Sequence, residues 1–196
     1  MKTEFRLANT LKELMAENYP LNDISVNLLT KRCKVSRPTF YYHFHDIYDL
    51  VTLVFLNENI PDIKRAKNVQ KVLASIYSYY VLNENFINVV LASSAKDLFV
   101  EFITNNCFQA FYRILHLLDE DKLLDTNDKK NIARFYSIAF ASSISFYFEN
   151  TKEKSLKGLE DVVGFLNAEF LQKAIKTAAK RKDLAKKKGK LNNLTH

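Results

Sequence analysis

Apolar side chains recur every three to four residues along nearly the whole chain, which is the spacing of amphipathic α-helices. The first such run covers residues 3–17 and is ended by Pro20, which cannot continue a helix. Ser25 is a good N-cap for a second helix that reaches Cys33. The pattern therefore predicts two amphipathic helices before residue 34.

A third helix is predicted to be short and to cover residues 37–43. Ser36 is its N-cap, and Pro38 lies in its first turn, where a missing N–H costs nothing. Asp46 then caps a fourth helix that reaches about Ile60.

The rest of the chain is also predicted to be helical, because its apolar spacing persists and polar segments interrupt it. The predicted helices lie near residues 63–82, 84–93, 96–119, 128–149 and 156–182. Only three Gly and three Pro occur in 196 residues, fewer turn residues than a sheet protein needs. The fold class predicted is all-α.

Four segments follow from this pattern. Residues 1–46 are predicted to form a three-helix domain, residues 47–61 a linking helix, and residues 62–182 a larger helical domain. Residues 183–196 are Lys-rich with few apolar side chains, and we expect a disordered basic tail.

The net charge of +7 is concentrated near the C-terminus. Residues 171–196 hold nine Lys or Arg against one Asp, whereas the first fifty residues hold seven basic and six acidic side chains. Bulk charge is therefore no argument for DNA binding by the N-terminal domain. That domain has a basic face only if its acidic side chains point elsewhere.

Other protein classes find little support. Cys33 and Cys107 are too few and too far apart for a disulfide framework or a metal site, which favours a reducing, cytoplasmic setting. The N-terminus lacks the apolar stretch of a signal peptide, and the longest charge-free run, residues 135–148, is too short to cross a bilayer. No residues point to a cofactor, and no phosphate-binding loop or metalloprotease motif suggests an enzyme.

Two short helices joined by a three- to four-residue turn are the helix-turn-helix pattern. Packing among a few apolar side chains would fix the angle between the helices: Leu29, Cys33, Val35, Phe40 and Phe44. The start of the helix over residues 37–43 is then free to enter a major groove. The alternative is a helical hairpin within a larger bundle, with Tyr41 and Tyr42 in the core.

Residues 8–50 resemble the DNA-binding domain of the TetR family. The most specific part is the string Val35-Ser36-Arg37-Pro38-Thr39-Phe40-Tyr41-Tyr42-His43-Phe44. The end of this string resembles a branch of the family that includes regulators of dihydroxyacetone use. The resemblance implies a homodimer that binds double-stranded DNA. It also implies that residues 1–46 are the helix-turn-helix DNA-binding domain and that residues 62–182 are the domain for effector binding and dimerisation.

The resemblance also implies which residues meet DNA. The candidates are Ser25, Asn27, Ser36, Arg37, Pro38, Thr39, Tyr41, Tyr42 and His43. Arg37 is the candidate for reading a guanine edge, and Pro38 for packing on a thymine methyl group. Thr39, Tyr41 and His43 are expected to hold phosphates. Ser25 and Asn27 are expected to contact phosphates or bases, while the ring of Tyr41 is alternatively core.

Three departures from the family pattern concern the backbone and a phosphate contact. The family usually has Gly where Lys34 stands, which costs about 1 kcal/mol if this residue needs positive φ. Members often have Gly near Asn18. A Lys commonly opens the fourth helix, where Ile47 stands here, so one phosphate anchor is missing unless Lys34 or His45 replaces it.

Eighteen of the 25 aromatic side chains follow residue 50. They are core and dimer interface, or they line a cavity for a small apolar or aromatic effector; both interpretations can hold together. The resemblance implies that the 128–149 and 156–182 helices pair with their copies across a two-fold axis.

The function predicted is a sequence-specific transcriptional regulator, a repressor released by a small-molecule effector. The alternative is an activator, or an adaptor controlled by a partner protein, in which the residues at positions 34 and 47 have weakened the grip on DNA.

Overall fold

The computed structural model describes residues 2–192, with side chains described through residue 185. The helices are α1 (Thr3–Ala16), α2 (Val26–Cys33), α3 (Arg37–His43), α4 (Ile47–Asn57), α5 (Val69–Leu82), α6 (Glu84–Leu91), α7 (Lys96–Leu118), α8 (Thr126–Asn150), α9 (Leu156–Val163) and α10 (Ala168–Asn192), with 3₁₀ turns at Leu21–Asp23 and Ile63–Arg65. Residues 2–192 contain no strand, so the predicted all-α class is confirmed.

The predicted bounds of the second and third helices are confirmed. The hydroxyl of Ser25 accepts from the Leu28 N–H at 3.1 Å at the start of α2, and Ser36 caps α3 in the same way. The fourth helix is shorter than expected and ends at Asn57. The predicted 63–82 helix is a 3₁₀ turn followed by α5, which Asn68 caps by accepting from the Lys71 N–H.

The single helix predicted over residues 156–182 was wrong, because the chain breaks it into α9 and α10. Gly164 ends α9, and the side chain of Asn167 accepts from the Phe170 N–H at 3.1 Å at the start of α10. Both residue types favour helix ends, since Gly lowers helix propensity and Asn caps exposed N–H groups.

The predicted disordered tail over 183–196 was also wrong for most of its length. Helix α10 continues through residue 183 to Asn192. Ala, Lys and Leu, which dominate this segment, are strong helix formers, and a run that buries little can still extend an existing helix. Residues 193–196 lie outside the described part of the chain.

The buried apolar side chains form one continuous cluster that runs from Leu7 in α1 to Ile175 in α10. At its centre α7 and α8 form the most extensive helix pair. Lys96 pairs with Glu149 at one end of the two helices, and Phe111 packs edge-on against Phe140 near the middle, which shows that they run antiparallel. No helix among residues 2–192 is long and apolar enough to cross a bilayer.

A buried ion pair closes the other end of this helix pair. Lys129 Nζ lies 2.8 Å from Asp119 Oδ2, and both side chains are almost completely buried. Burial by itself would raise the pKa of Asp119. The bond from Lys129 and those from the Leu123 and Leu124 N–H groups outweigh it and lower that pKa. The charge of Asp119 is thus fully compensated in the fold.

Removing Lys129 should therefore be costly. We expect Lys129→Met to lower the free energy of unfolding by about 3 kcal/mol, because it leaves a buried carboxylate without its cation. Urea unfolding followed by circular dichroism measures the change. The exposed neighbour Lys130 is the matched control, and Lys130→Met should change stability by less than about 0.5 kcal/mol. Equal effects for the two variants would contradict this role for the pair.

Candidate nucleic-acid interface

Helix α3 is held by its cap and by one side chain. The Ser36 hydroxyl accepts from the Thr39 N–H at 3.1 Å and lies 2.7 Å from the Thr39 hydroxyl. Phe40 is completely buried and packs against Phe44, with ring centroids 5.6 Å apart. Phe40 therefore fixes α3 on the rest of the domain and leaves its other faces outward.

Most of the predicted site residues are on the surface. Ser25, Asn27, Ser36, Arg37, Pro38, Tyr41 and Tyr42 are exposed, and Thr39 and His43 are half-buried. Tyr42 is 85% exposed, whereas Tyr41 is 51% exposed and lays its ring edge-on against Phe40 at 5.4 Å. The first turn of α3 and the start of α2 are thus open to solvent, and neither tyrosine is part of the core.

His43 differs from the other candidates because it faces back toward α1. Its Nδ1 lies 3.1 Å from Glu4 Oε1, and its side chain is only 21% exposed. A phosphate that approached this ring would have to compete with the Glu4 carboxylate. The structure therefore places His43 at the edge of the exposed surface of α3.

The turn between α2 and α3 contains the strained residue that the sequence indicated. Lys34 has φ 56° and ψ 46°, in the left-handed region. Its N–H donates to the Lys31 carbonyl, and the Val35 N–H donates to the Thr30 carbonyl at 3.0 Å, which is a Schellman motif. Asn18 (φ 64°) ends α1 in the same way. Glycine is the residue that both positions favour.

Most acidic side chains of the N-terminal domain already have a partner, and Glu4 is the one that contacts α3, at its last residue. Glu17 pairs with Arg32, Glu4 with His43, and Asp46 accepts from the first N–H groups of α4. Within the described residues, a group of exposed basic side chains forms no salt bridge: Lys31, Lys34 and Arg37. This near-neutral domain therefore has a locally basic surface beside α3.

The first residue of α4, Ile47, carries no positive charge that could bind a phosphate. Ile47 is half-buried and packs against the core. The neighbouring His45 side chain is almost fully exposed, and its Nδ1 lies 3.0 Å from Asp49 Oδ2. The pKa of Asp49 is lowered, chiefly by the hydrogen bond from the His45 N–H and also by the one from its ring. His45 is thus oriented by a carboxylate at the surface.

One exposed cation was missed by the sequence analysis. Lys31 lies one helical turn after Asn27 on α2, and both side chains are exposed. The spacing of four residues was the available signal, since it places them on the same helix face.

Two features of the larger domain bear on dimerisation and effector binding. Phe135, Ile138 and Phe146 lie along one face of α8 and are 68%, 52% and 66% exposed. A cleft of about 380 Å³ lies between the second half of α4, the 3₁₀ turn at Ile63–Arg65 and the outer face of α7. Among the described residues, no group of three or more His, Cys, Asp or Glu side chains could hold a metal ion.

A family model and a solved structure of another protein agree with this architecture. Residues 67–162, from just before α5 into α9, match the TetR-type family model described as "Transcriptional regulator C-terminal region". A solved structure, "Dihydroxyacetone kinase operon activator DhaS", superposes with a TM-score of 0.56 at 21% identity, over 89% of this chain and 97% of that one. At that identity the likeness shows the fold alone. No curated protein sequence matches significantly.

The left-handed residue in the α2–α3 turn gives a test of the local geometry. We expect Lys34→Gly to raise the free energy of unfolding by about 1 kcal/mol, because glycine adopts this conformation without a Cβ clash. The midpoint of thermal unfolding should rise by about 2–4 °C in calorimetry. Lys34→Ala is the control, since it removes the charge and keeps the strain. A gain in both variants would assign the effect to charge instead.

Proposed function

We propose that this chain, which belongs to the TetR family of transcriptional regulators, binds double-stranded DNA sequence-specifically through α3. The observation that carries the proposal is the outward first turn of α3, held from behind by the buried Phe40. A short capped helix in this position enters the major groove with its N-terminal end first. We place this activity in the cytoplasm, where bacterial DNA is found.

The candidate residues divide into base-reading and phosphate-binding roles. Arg37 is exposed at the first position of α3, and its planar fork matches the two acceptors of a guanine edge. Pro38 presents an apolar ring for a thymine methyl group. Thr39 and Tyr41 lie beside them and are assigned to phosphates, together with Ser25 and Asn27 at the start of α2.

Two further groups are assigned to the backbone of DNA. Lys31 and Lys34 are exposed beside α3 and are not engaged by the domain's carboxylates. They supply the phosphate contacts that Ile47 cannot make. Tyr42 and His43 are the remaining candidates for contact with DNA. His43 lies at the edge of the exposed surface of α3, where Glu4 orients its ring.

The protein works as a homodimer in this proposal. A face of α8 leaves Phe135, Ile138 and Phe146 in solvent, and Phe170 of α10 packs against Tyr136 beside it. Ala139 and Ser142 lie between these aromatic residues and allow close approach of a second helix. Two copies present two α3 helices, which is what a palindromic operator requires.

We further propose that the regulator is a repressor released by a small apolar or aromatic effector. An activator is the second candidate, which the similarity in fold to DhaS, an operon activator, favours. Deleting the gene should raise expression from its own upstream region if the protein represses and lower it if the protein activates. An adaptor controlled by a partner protein would leave that region unbound by the purified protein.

Arg37 provides the direct test of base reading. We expect Arg37→Ala to weaken binding to the chain's own upstream DNA by about tenfold or more, because one bidentate contact is worth roughly 1–3 kcal/mol. Binding to unrelated DNA should change far less. Fluorescence anisotropy at several salt concentrations measures both affinities. Arg65, exposed in the 3₁₀ turn after α4, is the control, and Arg65→Ala should leave both unchanged. Equal losses on specific and unrelated DNA would exclude base reading by Arg37.

The α8 face tests the assembly separately. We expect Phe146→Asp to convert the dimer to a monomer, since it buries a charge in an apolar contact. Light scattering coupled to size exclusion gives the mass. Leu82, which is 75% exposed on α5, is the matched control, and Leu82→Asp should remain dimeric. A wild-type monomer, or a dimer that persists in Phe146→Asp, would rule out this interface.

A further inference from the structure

The cleft between α4, the 3₁₀ turn and α7 has a floor of apolar side chains. Phe55, Ile63, Phe102 and Ala110 line it and are buried, with Phe108 half-exposed at its side. Its volume of about 380 Å³ is within the range of small-molecule sites in proteins. The cleft is therefore large enough for one aromatic or aliphatic body.

The polar groups around this floor include two carboxylates, four side-chain amides, one hydroxyl and one ammonium group. Thr52 donates its hydroxyl proton to the Tyr48 carbonyl, and Asn106 donates its amide N–H to the Phe102 carbonyl, so both keep an oxygen to offer. Glu58 and Glu101 add two carboxylates, against the single cation of Lys64. The two carboxylates favour a ligand that donates hydrogen bonds and carries positive charge. The aromatic rings beside it favour the same charge.

One of these carboxylates also reaches the DNA-binding domain. Glu58 follows the last residue of α4, and its Oε1 lies 2.5 Å from Nζ of Lys12 in α1. The same Nζ lies 5.4 Å from the ring centre of Phe86 in α6. The Glu58 side chain is 19% exposed and that of Lys12 is 29% exposed, so water screens this pair only in part. The Lys12–Glu58 pair therefore joins α1 to the wall of the cleft.

A buried hydroxyl lies next to the same carboxylate. Tyr79 is 2% exposed, and its hydroxyl has no hydrogen-bond partner among the described residues. Burial raises the pKa of Tyr79, and the negative charge of Glu58 raises it further. The carboxylate of Glu58 therefore lies near both the ammonium group of Lys12 and the hydroxyl of Tyr79.

We propose that this cleft binds a small organic ammonium ion whose charged group competes with Lys12 for Glu58. The ligand's apolar body packs on Phe55 and Phe102, and its N–H groups bind Glu58, Glu101 and the oxygen of Asn106. Binding of the ammonium ion at this site does not depend on the proposed function. Its effect does: loss of the Lys12–Glu58 pair loosens α1 and lowers the affinity for DNA.

The linkage is reciprocal, because both ligands act on one contact. If the ammonium ion lowers DNA affinity by a given factor, bound DNA lowers ammonium affinity by the same factor. Couplings between protein sites are typically about 5- to 150-fold. We expect about tenfold here, since one ion pair is exchanged for another.

Binding is tested on the full chain with phenethylammonium, its neutral analogue 2-phenylethanol and the anion 3-phenylpropionate, by isothermal titration calorimetry. We expect phenethylammonium to bind about tenfold or more tightly than the alcohol, and the anion to bind least; each tenfold ratio equals about 1.4 kcal/mol. In Glu58→Gln the preference for the ammonium ion should disappear. In Lys12→Gln the ammonium ion should bind several-fold more tightly, because its competitor is gone.

The opposite signs of these two variants separate competition from loss of folding, which would weaken binding in both. Glu149→Gln is the control, since it removes another carboxylate that pairs with a lysine, Lys96, away from the cleft. Glu149→Gln should bind phenethylammonium with the same affinity as the wild type. No ammonium preference in the wild type, or an equal change in Glu58→Gln and Lys12→Gln, overturns the proposal.

The effect on DNA is measured separately, by anisotropy with saturating phenethylammonium. We expect about tenfold weaker binding to the upstream DNA in the wild type and no change in Lys12→Gln. A protein that binds the ammonium ion through Glu58 and binds no DNA would refute the regulator function and leave the site standing. A protein that binds DNA with no response to the ammonium ion would refute the coupling.

Discussion

The packing of Phe40 against the core is the contact on which the whole DNA-facing surface depends. Helix α3 has only seven residues, and a helix of that length is not stable in water by its own hydrogen bonds. Phe40 is its one completely buried side chain, and the Ser36 cap satisfies an N–H at its start. Because one ring attaches α3, the other side chains are free to differ without loss of the fold. The surface that meets a partner is therefore separated from the contact that holds it.

The local structure of the first fifty residues could be predicted because each helix carries its own end signals. Ser25 and Ser36 are the N-caps of α2 and α3. Only three residues separate the two helices, so the connection between them is a turn. The break between α9 and α10 could not be predicted in this way. Leu159, Val163, Leu166 and Leu171 are all buried, so helical apolar spacing continues almost unchanged across the break. Only Gly164 and Asn167 marked it. The Lys-rich end was misjudged for the opposite reason, because low hydrophobicity does not prevent an existing helix from extending.

The site was predictable as far as it depends on one element. Since Phe40 is the inward residue of α3, the outward direction of Pro38, Tyr41 and Tyr42 follows from helical geometry. Arg37 lies three residues before Phe40, so its exposure at the first position of the helix does not follow from spacing. Contacts between distant segments did not follow. The pairing of His43 with Glu4 joins residues 39 positions apart, and the cleft joins α4 to a stretch of α7 about fifty residues later. Such contacts depend on how the helices pack together. The spacing of residues within one helix does not predict that packing.

The proposed DNA-binding domain and the proposed effector domain share one apolar core. The buried apolar residues form one cluster across both parts, so neither part has an independent core. Helix α4 crosses the boundary: it starts at the turn after α3 and ends next to Glu58, a distance of about 16 Å for eleven residues at 1.5 Å each. A packed helix moves as a rigid unit, because interiors at this density do not deform gradually. A change in the pairing of Glu58 therefore acts on α1 through Lys12 and, at the same point, on the end of the helix that begins just after α3. A signal from the cleft does not need a separate pathway through the protein.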